Sequence, residues 1–598
     1  MLERIPIHFN HSSELYSQFQ GDIIEITDKK ILFPVKINSA NYKCNAILFK
    51  NCEFCSTLDV ENVDLKVGIK FLECEFLDDV LFSNVKAKEH NPKFSQDSRN
   101  LYFKQCTKFK SVSFQECEIG RDVRFYKCDG ITKFSVSTSY LDSVMIEKST
   151  VDAISIHRLN TRMTFRIHRS TVMGQGRYEN CIGDGFSFTN SQFQRDQSIW
   201  GCNLRSIVTN DGTFEEELRI SACSLSQGHT FSGTVFKQSV SIKMRDDVSN
   251  LQATIEDVYL ENCDFQGGFE ILADEPAGNR SKIKKISLKA SSLNKGNITF
   301  DGAVIEQVEL KGTNVSANIT FRNCQIDRFI LSHFTNLGKL YFSDLNASPT
   351  AQSNLSINKT SLGVAIFLNA DLASYKKIDI MHSHLTDIIF TDVKWFNPSL
   401  LNKVVPTKGG GIEMGDLKDG AVDLNILAGK IASREVYRQL KYAATKQGDI
   451  VQSLTFQGLE MQLFNQELRQ YQLNWNTFGN KAMMWLNKSN DYGNNWVKPI
   501  VLLLMVNFLF FFWITISQSG KFCICIASSS EDLKANFEIL WKNNGAYWSL
   551  LNPVRRLPDV YPGSKLFSGL TIFLDYFSRV LVSYFIFQII SAFRKYSK

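Results

Sequence analysis

Proline is scarce, at 11 in 598 residues, and histidine scarcer, at 9, yet phenylalanine reaches 46. So few prolines beside so many phenylalanines suggest many apolar positions of one kind, which hints at repetition. No charge of one sign dominates. Residues 1–400 hold 45 Lys/Arg against 47 Asp/Glu, a balance of −2, while 401–598 hold 22 against 14, a balance of +8. The long N-terminal part therefore has no electrostatic footprint for nucleic acid, and it is not acidic enough to mimic one. The basic surplus lies beside apolar C-terminal segments, where it suits anionic lipid heads. GxxxxGK[ST], HExxH, GxSxG and a strand-to-helix GxGxxG are all absent, so nucleotide, zinc-protease and serine-hydrolase signatures are missing. At 44% hydrophobic and 21% charged residues the composition excludes wholesale disorder. The length exceeds one compact core, so several domains or an elongated repeat are expected.

The fourteen cysteines also lack the arrangement that their number invites. Cys52/Cys55 and Cys523/Cys525 are the close pairs, and neither has a matching distant pair to complete a zinc site. The opening Met1-Leu2-Glu3-Arg4-Ile5-Pro6 has no apolar stretch of the signal-peptide kind. The thiols are therefore expected to be reduced, buried, small apolar residues. His382-Ser383-His384 would place two imidazoles on one side of a strand, but nothing nearby completes a metal site. Asp78-Asp79 and Glu215-Glu216-Glu217 imitate the acid clusters of carbohydrate-active β-helices and are expected to be surface charges.

The positive signal is self-similarity. AILFKNCEF at 46–54 is echoed by GIKFLECEF at 68–76, with Phe49 and Phe71, and Cys52 and Cys74, 22 apart. Phe103, Phe114 and Phe125 step by 11, and Cys106, Cys117 and Cys128 keep pace. Asn297–Phe300, Asn318–Phe321 and Lys339–Phe342 follow at a period of 21. Alternation within each unit, as in Ile298-Thr299-Phe300, marks half-buried strands. Strands this short must stack on the turns above and below, at about 4.8 Å per turn, with like side chains in ladders. Such a unit buries its apolar face only against its neighbours. A parallel β-helix over 40–396 of about 16 coils at this period, preceded by a cap at 1–39, is the expected architecture. An antiparallel sandwich would not keep a side-chain register at fixed period.

The spacing Phe49-x-x-Cys52-x-Phe54, repeated in Phe71/Cys74/Phe76, Phe114/Cys117/Ile119, Leu260/Cys263/Phe265 and Phe321/Cys324/Ile326, resembles that of pentapeptide-repeat proteins. The resemblance covers roughly 40–396 and implies a right-handed parallel β-helix. That family keeps 20 residues per coil, whereas this chain keeps 21 or 22.

Beyond residue 396 the period changes. A linker at 397–429, with Lys408-Gly409-Gly410-Gly411 as a joint, leads to an α-helical hairpin at 430–495. Ser433 is its expected N-cap, Val436, Leu440 and Ala443 lie on one face, and Lys446–Asp449 form the turn. Val451, Leu454, Leu459, Met461 and Leu463 are the apolar positions of its second helix. In the region 496–598, the stretches 499–516 and 567–593 are long and apolar enough to span a bilayer, flanked by Trp485, Trp496 and Trp513. Asp575 and Arg579, four apart, share one helix face and are expected to pair. With Asn507 they are the intramembrane polar candidates. The aromatic stretch Phe537–Leu551 is expected to lie in the interface or dip back into the membrane. No TVGYG filter is present, so a selective potassium channel is unsupported.

The chain thus reads as a mainly β protein: a parallel β-helix, then an α-helical hairpin and two transmembrane helices. The expected function is non-enzymatic. It is a cytosolic sensor or scaffold coupled to a two-span module that oligomerises into a pore, at a bacterial inner membrane, in the manner of stress or phage-defence systems. The expected partners are membrane lipid and a protein or second copy, without cofactor, metal, small-molecule substrate or nucleic acid. A passive membrane-tethered scaffold and an outward-facing carbohydrate-active enzyme are the alternatives.

Overall fold

The computed structural model describes residues 7–9, 11–21, 23–87, 101–244, 254–273, 281–293, 296–347, 352–402, 424–471, 474–493, 495–518, 530–562 and 567–593. The joint at 408–411, the Cys523/Cys525 pair and the basic end at 594–598 lie outside them. The chain divides into two compact units, Met1–Leu401 and Asn402–Lys598.

The first unit is a parallel β-solenoid of about 15 turns. One early coil shows the plan. Ala46–Lys50, Glu53–Phe54, Leu58–Glu61 and Asp64–Leu65 form four sides, and Gly68–Leu72 then returns above Ala46–Lys50. Each strand alternates buried and half-exposed residues, as a pleat with one face inward dictates. The winding begins before residue 40: Ile23–Thr27 pairs with Ala46–Lys50, and a short helix α1 (Ser12–Tyr16) precedes it.

Ladders run along the axis. Phe49, Phe71, Phe103 and Phe125 are in register and stack ring on ring at 5.2, 4.8 and 4.5 Å, within 11° of parallel. Phe54, Phe76 and Phe109 make a second column at 4.9 and 4.6 Å. The two columns meet edge to face, as Phe49 and Phe54 do at 5.2 Å and 72°. Stacked and edge-on contacts of this kind add about 0.5–1.5 kcal/mol beyond burial. Phe300, Phe321 and Phe342 continue the motif farther on, at 4.9 and 5.8 Å.

The step of 11 proves to be half a coil. Phe114 stands on Phe82 and under Val136, on a different side from Phe103 and Phe125. The cause is a corner at each half-turn: φ is positive at Asn51, Asn62, Glu73 and Asn84, 11 residues apart. The residue after the corner must be small or compact. Cys52, Cys74, Cys106 and Cys128 fill one column, and Ser149, Ser170 and Ser191 carry it onward, each Oγ accepting from the backbone N–H of the corresponding residue one coil earlier. Each Cys thiol donates to the carbonyl two residues before it, as Cys74 does to Leu72 at 3.3 Å. Cys117 and Ser139 belong to the column on the opposite half-turn. All twelve described cysteines are free, and all but Cys55 are buried.

In the second unit, α2 (Leu424–Gln447) and α3 (Ile450–Leu468) form the expected hairpin, with Gly448 at φ 79° in the turn and Asp449 capping α3 through Gln452 N–H. Ser433 is not an N-cap. It lies inside α2, its hydroxyl donating to Gly429 O and accepting from Asn402. Tyr437, Leu440 and Ala444 of α2 and Phe456 and Leu463 of α3 are buried, the Tyr437 and Phe456 rings 6.3 Å apart, while Val451 is exposed. Arg434–Glu467 and Lys441–Glu460 tie the helices at 2.7 and 2.6 Å. Then follow α4 (Trp475–Asn487), α5 (Val497–Gln518), α6 (Ser530–Lys542), α7 (Asn544–Leu550), α8 (Leu557–Val560) and α9 (Gly569–Phe593). α5 and α9, of 22 and 25 residues, are long and apolar enough to cross a membrane. Only about a quarter of each is buried within the protein, so most of their apolar surface has no protein cover, unlike a soluble core helix.

Candidate functional site

α5 and α9 pack side by side around Leu503, Val582 and Phe585. Every polar candidate on them turns toward protein. Asn507, at the midpoint of α5, is fully buried and its Nδ2 donates to Tyr547 O at 2.8 Å. Tyr547 donates in turn to Leu504 O at 3.4 Å. Leu551 packs against the Leu503–Val582 cluster, and Tyr561 pairs with Thr515 at 3.0 Å. Residues 547–561 therefore lie along α5, from the level of Leu503–Asn507 back to that of Thr515. At 1.5 Å per residue, Leu503 lies about 22 Å from the end of an α5 about 33 Å long.

Asp575 sits in α9 with its side chain 3% exposed, and Arg579, one turn on, pairs with it as the spacing predicts. The second partner was not visible in the sequence. Arg555, also 3% exposed, comes from the returning chain and donates from Nε and Nη2 to Asp575 Oδ1 at 3.1 and 2.8 Å. Its Nη2 also reaches Ser578 Oγ at 3.0 Å, and Nη1 reaches the carbonyls of Leu550 and Asn552. One carboxylate is thus shared by two guanidiniums, and the loop is clamped to α9 through its own carbonyls. A buried charge stripped of water is tolerable only when paired and hydrogen-bonded in this way. Arg579 is the more open member and lies over the Tyr576 ring at 5.4 Å. Farther along, Ser489 meets Tyr584, and Asn490 donates to Gln588.

The solenoid's candidates behave differently. Asp78 and Asp79 share Lys110, and Ser111 donates to Asp79. Glu215 pairs with Lys237, Glu216 with Arg195, and Glu217 with Arg219. Hydrogen bonds from Lys110 and from Ser239 hold the Asp78 and Glu217 carboxyls below the usual range. A general acid needs the opposite shift. His382 adopts φ 50° just past the strand Lys377–Met381, so the alternation expected of His382 and His384 is lost, and both are exposed. Among the described residues no cluster of three or more His, Cys, Asp or Glu fits a metal ion. Burial, with a smaller push from the Glu261 carboxylate, raises the Cys263 thiol to about 12, and burial pushes Cys117 up to about 11, which leaves both unreactive at neutral pH.

Comparison with known protein families, curated proteins and solved structures finds no match.

Proposed function

We propose that this is a membrane-anchored sensor or scaffold: a β-solenoid with a recognition surface, joined in one chain to a two-span module whose interior is polar and adjustable. The observation that carries it is the Arg555–Asp575–Arg579 group, with Asn507, between helices whose outer faces are apolar. A plain anchor needs no charge inside the bilayer, and ionisable residues there usually serve a pathway or a switch. Non-helical backbone at that depth is compatible with lipid only when buried in protein or lining water. On this reading the segment 544–561 is re-entrant, and several copies assemble a pore around it. The neutral charge balance of the solenoid favours a protein ligand over nucleic acid. Free, buried thiols favour a cytosolic solenoid, as at a bacterial inner membrane. The four-sided coil of short strands accords with the pentapeptide-repeat resemblance.

The test is conductance of the purified full chain in liposomes. Current from the wild-type chain that changes in ion preference or is lost in Asp575→Asn supports the pore. Absence of current from any oligomer removes it and leaves the passive scaffold. That second reading draws on the burial of Asn507 and Asp575 within a single copy. Carbohydrate chemistry is disfavoured by the lowered carboxyls of Asp78 and Glu217.

A further inference from the structure

A cavity of about 360 Å³ opens between α3 and the turn at 488–492. Its size falls in the range of small-ligand sites. Gln462, Asn465 and Gln466 line it from α3, Arg469 stands at the end of that helix, and Lys488 and Tyr492 close the other side. Arg469 and Lys488 are exposed and form no ion pair among the described residues. The lining acid, Asp491, is already engaged by Lys498 at 2.7 Å. The cavity therefore presents two uncommitted cations, amide groups and a phenol: the chemistry of an anion site.

Its position narrows the choice of anion. The turn that carries Lys488 is bonded through Ser489 and Asn490 to Tyr584 and Gln588, near the end of α9, and α5 begins at Val497. Trp496 packs on Phe593 at 5.2 Å. The helix leading into the turn, α4, buries Met484 and on the opposite face leaves Trp475, Phe478 and Trp485 exposed at 88, 51 and 74%. At 100° per residue these three rings share one face. An amphipathic helix with aromatic rings on its free face, directly before a span, suits the headgroup boundary of a bilayer.

We infer that α4 lies in the membrane interface and that the cavity beside it binds the phosphate-bearing headgroup of an anionic phospholipid from the same leaflet, held by Arg469 and Lys488. The inference rests on the reading of α5 and α9 as spans. Near an anionic surface each cation contributes about fivefold in binding.

The test places the full chain in nanodiscs of phosphatidylcholine with or without phosphatidylglycerol and measures by native mass spectrometry which lipid is retained on release. Wild-type chain retains phosphatidylglycerol above its bulk share. Arg469→Gln/Lys488→Gln inserts equally but loses that enrichment, about fivefold per cation removed, and Arg469→Lys/Lys488→Arg keeps it. Equal retention of both lipids, or enrichment indifferent to the Gln variants, overturns the site while leaving the spans standing. Displacement of phosphatidylglycerol by inorganic phosphate identifies a soluble-anion site and overturns the lipid assignment. A chain that enters neither kind of nanodisc overturns the membrane reading itself.

Discussion

His229 is completely enclosed in the solenoid, with Ile207 below and Val258 above in its ladder and Phe231 beside it. Neither ring nitrogen has a hydrogen-bond partner among the described residues. Burial lowers its pKa from 6.5 to about 3. The unfolded chain therefore takes up a proton below about 6.5 that the folded chain refuses until about 3. Its stability contribution is whole above 6.5 and drains away as pH falls through that window, by about 1.4 kcal/mol per unit. His229→Val, matched to its apolar neighbours, is expected to raise stability by about 1–3 kcal/mol and to flatten the acid limb. Denaturation midpoints at pH about 7 and about 5 decide this: a variant with the same pH slope as wild type contradicts it. The corner residues belong to the same scale. Asn at φ near 50° is an ordinary choice, but Glu73, Lys127 and Arg169 hold the same conformation with no local preference for it. The stacked coils impose those corners, and for that reason no single corner announces itself in the sequence.

At the scale of elements, the clamp between α9 and the returning chain makes a distinct claim. Removing one member of a buried pair leaves the other charge unpaired, at a cost of about 3–5 kcal/mol, whereas removing both is far milder. Asp575→Asn alone strands the buried Arg555 and is therefore expected to destabilise the helical unit more than Asp575→Asn/Arg555→Gln does, whereas Arg555→Gln alone leaves Asp575 paired with Arg579 and is expected to cost less. The order should appear in detergent melting temperatures. A double variant that is the sum of the singles would show that the pair is not coupled. The Asp575–Arg579 half of the cluster could be read directly, because a four-residue spacing in an apolar helix puts both on one face. Arg555 could not, since it stands twenty residues away in a loop, beside Pro553 and Arg556, and only the fold of that loop selects it. The hairpin was legible for the same reason as the first pair, through local spacing. The misreading of Ser433 came from taking a favourable cap residue for a boundary, when the helix passes through it and a back-bond to Gly429 absorbs its hydroxyl.

For the whole molecule, the coil is the unit that can be added or removed. Asn297–Asp301 lies on Asn318–Arg322 residue for residue. Deleting residues 297–317 removes one turn and joins Gly296 to Asn318 in the same register, so the shortened chain is expected to fold with a slightly lower melting temperature. Deleting half as many residues places one half-turn over the other and should leave the chain aggregated or protease-sensitive. Limited proteolysis of the two variants separates the outcomes, and equal resistance would argue against a ladder that runs in step. The period was open to view because each rung repeats the same chemistry, Phe inward and Cys or Ser at the corner. The four sides of a coil were harder to see, since two of them carry only two residues in strand, as Glu53–Phe54 and Asp64–Leu65 do.

Register survives interruptions of that period. Ile69 is partnered by Leu101, 32 residues on, Leu225 by Ile255, 30 on, and Phe269 by Ile298, 29 on. Extra residues between these rungs leave the pairing in step, so these junctions are expected to accept further insertion. A peptide tag or small reporter spliced in at one of them would be carried without bending the shaft, and diversity could accumulate there while the ladder of rings stays unchanged.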